Sequence, residues 1–223
     1  MLLTDDGTDE QVYTHGCVMA ASSEVLRQKL LDVRSPLDEL TYVRVENISS
    51  SVLTRLFDYV YGARLKVDRE IVHPLLLAAS QLRYLAVVKA CYHFIDKTVD
   101  ANTALGLLQL TREARRLTGD DPSSGKVTED NIRRYVFQNV SRVLSSDDFK
   151  HYPTEEEILE YMCKAERETV TVESLLSAML RWRTAGNGSR DLAFVRIMAV
   201  ACKLWDGEAL ERDNNLCDDF MSS

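Results

Sequence analysis

Histidine and cysteine stand two residues apart twice in this 223-residue chain, as His15-x-Cys17 in VYTHGCVMAASSEVLRQKLL and as Cys91-x-His93 in KACYHFI. Imidazole and thiolate are zinc ligands, and a thiol beside a base is the core of a cysteine nucleophile. Two residues along a helix turn through about 200°, so if Cys91 faces a core, His93 faces away and the pair cannot grip one ion. On a strand His15 and Cys17 would share a face, but an apolar helical run starts at or between them. A nucleophilic Cys17 would also need a setting that favours the thiolate, whereas Val18 and Met19 follow it directly. The expectation is a His15 hydrogen-bonded at a strand-to-helix junction, with Cys17 packed in the core behind it. No GxSxG, P-loop, GxGxxG or HExxH sequence occurs. No enzyme activity, catalytic residue, metal or cofactor is therefore expected.

The elements that would hold such pairs are read from composition and period. Twenty-seven basic and 35 acidic residues leave a formal charge of −8. No basic block stands out, so nucleic acid is not expected as a partner. The opening MLLTDDGTDE lacks a cationic region followed by an apolar core, and no run approaches the ~18 apolar residues that span a bilayer. A soluble intracellular protein with no membrane partner is expected. The five cysteines, Cys17, Cys91, Cys163, Cys202 and Cys217, are never in CxxC spacing and read as buried free thiols, because reduced cysteine behaves as a small hydrophobe.

LTYVRV, residues 40–45, sets Thr41, Val43 and Val45 against Tyr42 and Arg44, the alternation of a half-buried strand. From Ser51 the period becomes helical, with Val52, Leu53, Leu56, Phe57, Val60 and Tyr61 on one stripe that Gly62 can end in the left-handed conformation. RLKV after it is a short strand at most. A helix carrying Ile71, Val72, Leu75, Leu76, Ala79 and Leu82 must start late or kink at Pro74. The next, from Leu85 to about Thr98, turns Cys91 inward, and Asn102 is a candidate N-cap for a helix through Leu105, Leu108 and Thr111. TGDDPSSGK, residues 118–126, reads as a loop. Helices then follow to the end: DNIRRYVFQNVSRVL, TEEEILEYMCK with acids where the helix dipole favours them, VESLLSAMLRWR and DLAFVRIMAVACKLW. The arginines of RRYVFQNVSR and RWR fall at spacings expected of solvated helix faces. Mixed strands and helices thus give way to helices alone near residue 100, where a domain boundary is expected.

Taken in order, these stretches resemble a BTB/POZ domain followed by a BACK domain, as in the Kelch-like proteins, over nearly the whole chain. The BTB pattern of an apolar residue, two others, His and a Leu-Ala-Ala helix ending in Ser is matched by Val12, His15, VMAAS and Ser23. LFDYVYGARLKVDREIV and LLLAASQLRYLAVVKACYHFI reproduce the Tyr-x-Tyr helix end, the Ala-Ala-Ser core and the Cys-x-x-Phe helix at Cys91 and Phe94. Asn102 with TALGLLQL resembles the opening of BACK. VFQNVSRVLSSDDFKHYPTEEEI resembles its Asp-Asp-Phe phrase, VESLLSAMLRW its helix ending in Trp182, and ALERDNNLCDDF its closing segment.

The resemblance implies an α+β BTB/POZ domain over residues 1–98, a small sheet flanked by helices, and an all-α BACK domain over residues 99–223. It implies a substrate-adaptor component of a cullin-3 RING ubiquitin ligase, cytoplasmic or also nuclear, whose partners are cullin-3 and itself or another BTB protein. The alternative it leaves is a non-degradative scaffold or competitor that pairs with BTB-Kelch proteins without delivering substrate. Cullin docking in the family uses an apolar-x-Glu motif after the second BTB helix, and SPLDEL supplies Leu37, Asp38 and Glu39 there. A polar turn leading into the strand would use the same residues. Three departures are read: the family's leading helix and first strand have no counterpart beyond LLT, Val25 and Leu26 replace a Tyr-Phe pair and make the cullin-facing surface less aromatic, and no Kelch repeats follow.

Overall fold

Three short strands within the first 45 residues form a small sheet, with two helices between the second and third strands, and helices make up the described elements that follow. The computed structural model describes residues 2–5, 11–33, 41–119, 123–164 and 170–205. These gather into two compact units, one with the described residues up to Thr98 plus Leu110–Glu129, the other with Val99–Gln109 plus those from Asp130 on.

In the first unit β1 (Leu2–Asp5) is the central strand of a β2-β1-β3 sheet. It pairs antiparallel with β2 (Gln11–Tyr13) and parallel with β3 (Tyr42–Val45), so that Tyr13 and Tyr42 both align with Leu2. Val43 and Val45 are buried while Tyr42 and Arg44 are exposed, as the alternation requires. The short helices α1 (Gly16–Ser22) and α2 (Glu24–Asp32) meet at Ser23. Its buried hydroxyl accepts from the Leu26 N–H at 3.2 Å and donates to the Leu82 carbonyl at 2.7 Å, which caps α2 and satisfies the hydroxyl in one step.

Helix α3 (Ser50–Val60) buries Val52, Leu53, Leu56 and Phe57, and Gly62 ends it at φ +97°. RLKV forms no strand. Helix α4 (Val72–Gln81) starts late enough that Pro74 sits in its first turn, where no internal hydrogen bond is lost. Helix α5 (Leu85–Thr98) packs Val88, Cys91 and Ile95 into the core against α4. The unit also takes in the second half of α6 (Ala104–Thr118) and the first turns of α7 (Ser123–Gln138). Thr128 donates to Asp96 at 3.1 Å, and Glu129 accepts from Arg112 at 3.1 Å and also from Arg115. The expected loop is shorter than read: helix resumes at Ser123, and residues 120–122 lie outside the described ones.

In the second unit the cap expected at Asn102 belongs to Asp100, whose Oδ1 accepts from the Asn102 and Thr103 backbone N–H groups and the Thr103 hydroxyl at 3.0–3.1 Å. A carboxylate two residues earlier takes the donors that an Asn102 cap would have left unpaired. After α8 (Val140–Ser145) and a 3-10 turn at Asp148–Lys150 come α9 (Glu155–Lys164), α10 (Val172–Ala185) and α11 (Asp191–Trp205). Thr154 and Glu157 form a reciprocal capping box at the head of α9, with bonds of 3.0 and 3.3 Å. Phe149, Ile158, Met179 and Ile197 fill the core, and the buried Trp182 indole donates to the Pro153 carbonyl at 3.0 Å.

Two arginines expected in solvent hold this unit together instead. Arg133 pairs with Glu160 at 2.6 Å, and Arg181 donates to the Leu144 carbonyl at 2.5 Å at the C-terminal end of α8. The carbonyls that a helix end leaves unpaired, at the negative pole of its dipole, attract the guanidinium. The cysteine expectation also needs correction. Cys91 is buried, but Cys17 and Cys202 are exposed and Cys163 is disulfide-bonded. No described helix is long and apolar enough to cross a membrane.

Two substitutions test these contacts. A Cβ at Gly125 would lie 2.7 Å from Arg115 Cγ and 2.9 Å from the Tyr92 hydroxyl. Although alanine is the better helix former, Gly125→Ala is expected to cost about 1–3 kcal/mol in chemical denaturation, because overpacking outweighs propensity. Asp148 Oδ2 accepts from the Gly106 N–H at 2.9 Å, yet burial of the half-buried carboxyl holds its pKa above the ordinary value against that bond. A raised folded-state pKa contributes stability below the unfolded value, about pH 4, that is lost as pH rises through the folded one. Asp148→Asn keeps an acceptor for Gly106, so it should gain on the wild type as pH rises from the aspartate range toward neutrality; parallel pH–stability curves would contradict this.

Candidate partner-docking site

The His15 junction is built around Tyr61. The Tyr61 hydroxyl lies 3.0 Å from the His15 backbone N, 2.8 Å from His15 Nδ1 and 2.9 Å from Thr14 Oγ1. The backbone N–H can only donate, so the hydroxyl accepts there. It then donates one bond and accepts the other between Nδ1 and Oγ1, and either arrangement satisfies all its capacity. The rings of His15 and Tyr61 meet edge to face at 5.9 Å. His15 is thus hydrogen-bonded at the strand-to-helix junction, as its position suggested. Tyr61 was read from its spacing as the end of an apolar stripe. Nothing in the sequence links it to residues 46 positions away.

Cys17 does not lie behind His15. Met19 is fully buried, and the two-residue rotation that separates Cys91 from His93 likewise turns Cys17 to the surface. At Cys91, burial pushes the thiol pKa up to about 12, so it stays protonated at neutral pH and has no nucleophilic character. His93 is exposed on the far side of α5. Among the described residues no group of three or more His, Cys, Asp or Glu could hold a metal ion.

Leu37, Asp38 and Glu39 lie outside the described residues. The chain that leads into them ends α2 with Leu31, 75% exposed, and Val33, 38% exposed. Exposed apolar side chains at a helix end supply the desolvatable surface a docking anchor needs. Of Val25 and Leu26, which stand where the family has an aromatic pair, Leu26 is fully buried and its N–H is held by Ser23. Within α2, Glu24 is bonded by Arg27 at 2.6 Å, which lowers its pKa.

Residues 1–99 match the BTB/POZ domain. The chain is 22% identical to human Kelch-like protein 6 over 75% of its own length and 25% of that protein. It is 25% identical to Kelch-like protein 38 of Danio rerio, over 78% of this chain and 28% of the relative. With Kelch-like protein 3 of Pongo abelii it shares 23% identity over 96% of this chain and 36% of the relative. It therefore spans about a quarter to a third of the length of these curated relatives. A mixed sheet-and-helix BTB/POZ domain followed by a helical BACK region is the class of protein these features define. The chain carries a BTB/POZ domain and is similar to Kelch-like proteins over most of its length.

The Tyr61 hub is testable. Tyr61→Phe keeps the ring and removes the shared hydroxyl, and should destabilise the protein by about 1–2 kcal/mol in urea unfolding, the cost of leaving polar groups without their partner. An unchanged midpoint would mean that the contacts add nothing.

Proposed function

We propose that this chain is an adaptor-type component of a cullin-3 RING ubiquitin ligase, acting by protein-protein binding and not by catalysis, in the cytoplasm or also in the nucleus. In this reading residues 1–98 form the BTB domain, which docks the cullin and pairs with itself or another BTB protein, and residues 99–223 form the BACK domain that extends the arm. The observation that carries it is the BTB/POZ match over residues 1–99 together with similarity to Kelch-like proteins that continues over most of the chain. Leu37 is the apolar anchor, Glu39 the charge that sets orientation, and Asp38 the residue between them. The exposed Leu31 and Val33 beside them support that position, because an anchor gains most where neighbouring apolar surface excludes water.

Affinity for cullin-3 measured with the wild type and with a Leu37→Ala/Glu39→Ala double mutant tests the docking site. Loss of an anchor and its charge is expected to weaken binding at least about tenfold, roughly 1.4 kcal/mol or more. Equal affinity for the two proteins would remove these residues from the account.

A further inference from the structure

Helix α4 ends in a turn whose chemistry does not suit its sequence. The Arg83 N–H donates to the Ser80 carbonyl at 3.2 Å and the Tyr84 N–H to the Ala79 carbonyl at 2.8 Å, a Schellman-type cap. Arg83 fills its left-handed position at φ +57°. Glycine is favoured there because a Cβ crowds the adjoining carbonyl, and Asn is the usual second choice. A long side chain held in that conformation carries a cost that persists where a function offsets it.

The Arg83 side chain supplies such a function. It lines an open groove of about 490 Å³ in the first unit, between the end of α3 and the α4–α5 turn, with Tyr59, Val60, Ala63, Tyr84 and Leu85 among the walls. Arg83 is the single charged residue of that lining, and its guanidinium makes no hydrogen bond or ion pair among the described residues. Glu24, whose carboxylate feels the Arg83 charge, is itself taken by Arg27 at 2.6 Å. Leu85 is 42% exposed in the groove, and the buried Tyr84 hydroxyl is held by Ser22 at 3.1 Å, which fixes the wall. The groove therefore presents apolar surface with one exposed cation at its edge.

We propose that this groove is a second docking site, and that it takes a peptide segment of a partner protein carrying an apolar side chain next to a carboxylate. The apolar chain lies along Val60 and Leu85, and the carboxylate meets the Arg83 fork, whose planar donors match two carboxylate oxygens at once. One positive charge in an otherwise uncharged lining suits a singly charged carboxylate. A phosphate would need a second cation, and the lining has none. No lining residue is shared with Leu37–Glu39, so this site stands or falls independently of the cullin reading.

The test uses the full chain, labelled with nitrogen-15, and synthetic peptides acetyl-Gly-X-Asp-X-Gly-amide with X as Leu, Ile, Phe or Met, each against its Asn counterpart. Acidic peptides should shift the amide signals of Arg83, Tyr84 and Leu85 and bind at least about fivefold tighter than the Asn peptides, as expected for a partly desolvated charge pair. Arg83→Gly removes the guanidinium and relieves the backbone, so it should raise Tm by about 2–4 °C while abolishing the preference for Asp. Arg83→Lys should retain part of it. Absence of shifts with all the peptides, equal binding of Asp and Asn peptides, or an Arg83→Gly protein that still prefers Asp would each overturn the proposal. A fall in Tm for Arg83→Gly would overturn the strained-turn argument on which it rests.

Discussion

The first unit depends on one hydroxyl. Tyr61 stands at the end of α3, and through it that helix is bonded to the backbone and side chain of His15 and to Thr14, the two residues between β2 and α1. These elements are far apart in sequence, and apolar contact alone is non-directional, so it would tolerate sliding between them. Directional bonds to a backbone N–H and to two side chains do not. The left-handed Gly62 immediately afterwards turns the chain away, which leaves the Tyr61 ring free to lie edge-on to His15. Ser23 does comparable work at the next junction, linking the start of α2 to the Leu82 carbonyl at the end of α4. The family signature of His followed by a helix ending in Ser is thus a pair of polar fasteners around an apolar core.

The second unit relies on satisfied helix ends. Asp100, Thr154 with Glu157, and Thr171 each take up N–H groups that a helix start leaves unpaired. Arg181 serves the carbonyls at the end of α8, and Arg190 donates to the carbonyls of Lys150, His151 and Trp182 while stacking 4.7 Å over the Trp182 ring. Short helices joined by short turns expose many such groups per residue. Local capping therefore matters as much here as core volume, and charged residues near helix ends are parts of the frame.

That explains which features were legible in the sequence. Helix α5 and the placement of Pro74 in the first turn of α4 follow from period and from the missing proline N–H, and Cys91 reaches the core because its spacing to Val88 and Ile95 demands it. Each of these rests on local rules. Most of the differences turn on groups distant in sequence or on competition between neighbouring caps. LLTD is too short to show alternation, and becomes a strand only between β2 and β3. Asn102 reads as a cap, but the capping carboxylate is Asp100, which accepts from the Asn102 N–H itself, and Arg133 and Arg181 read as solvated because period alone cannot reveal Glu160 or the end of α8. Cys17 was misjudged for a different reason: the rotation argument that excluded His93 from the core applies equally between Cys17 and Met19. The proposed docking residues Leu37, Asp38 and Glu39 are reached only through family likeness, since three residues are too few to show a period.

The arginines also separate structural charge from surface made for partners. A guanidinium is a strongly directional, permanently charged group, and folding stability gains from it only when its donors are met within the chain. Arg133, Arg181 and Arg190 meet carboxylate or carbonyl oxygens, and Arg183 pairs with Asp191 at 2.6 Å over the Phe194 ring. Arg83 meets none, and it occupies a backbone position that glycine would fill with less strain. Stability therefore gives no reason for its presence. What remains is its charge, exposed at the edge of a groove lined by Val60, Ala63 and Leu85 and by Tyr84, which Ser22 holds in place. Buried side-chain polar groups among the described residues are paired except Ser80 Oγ, whereas Arg83 is exposed, and what sets it apart is its left-handed backbone together with its place at the edge of the groove.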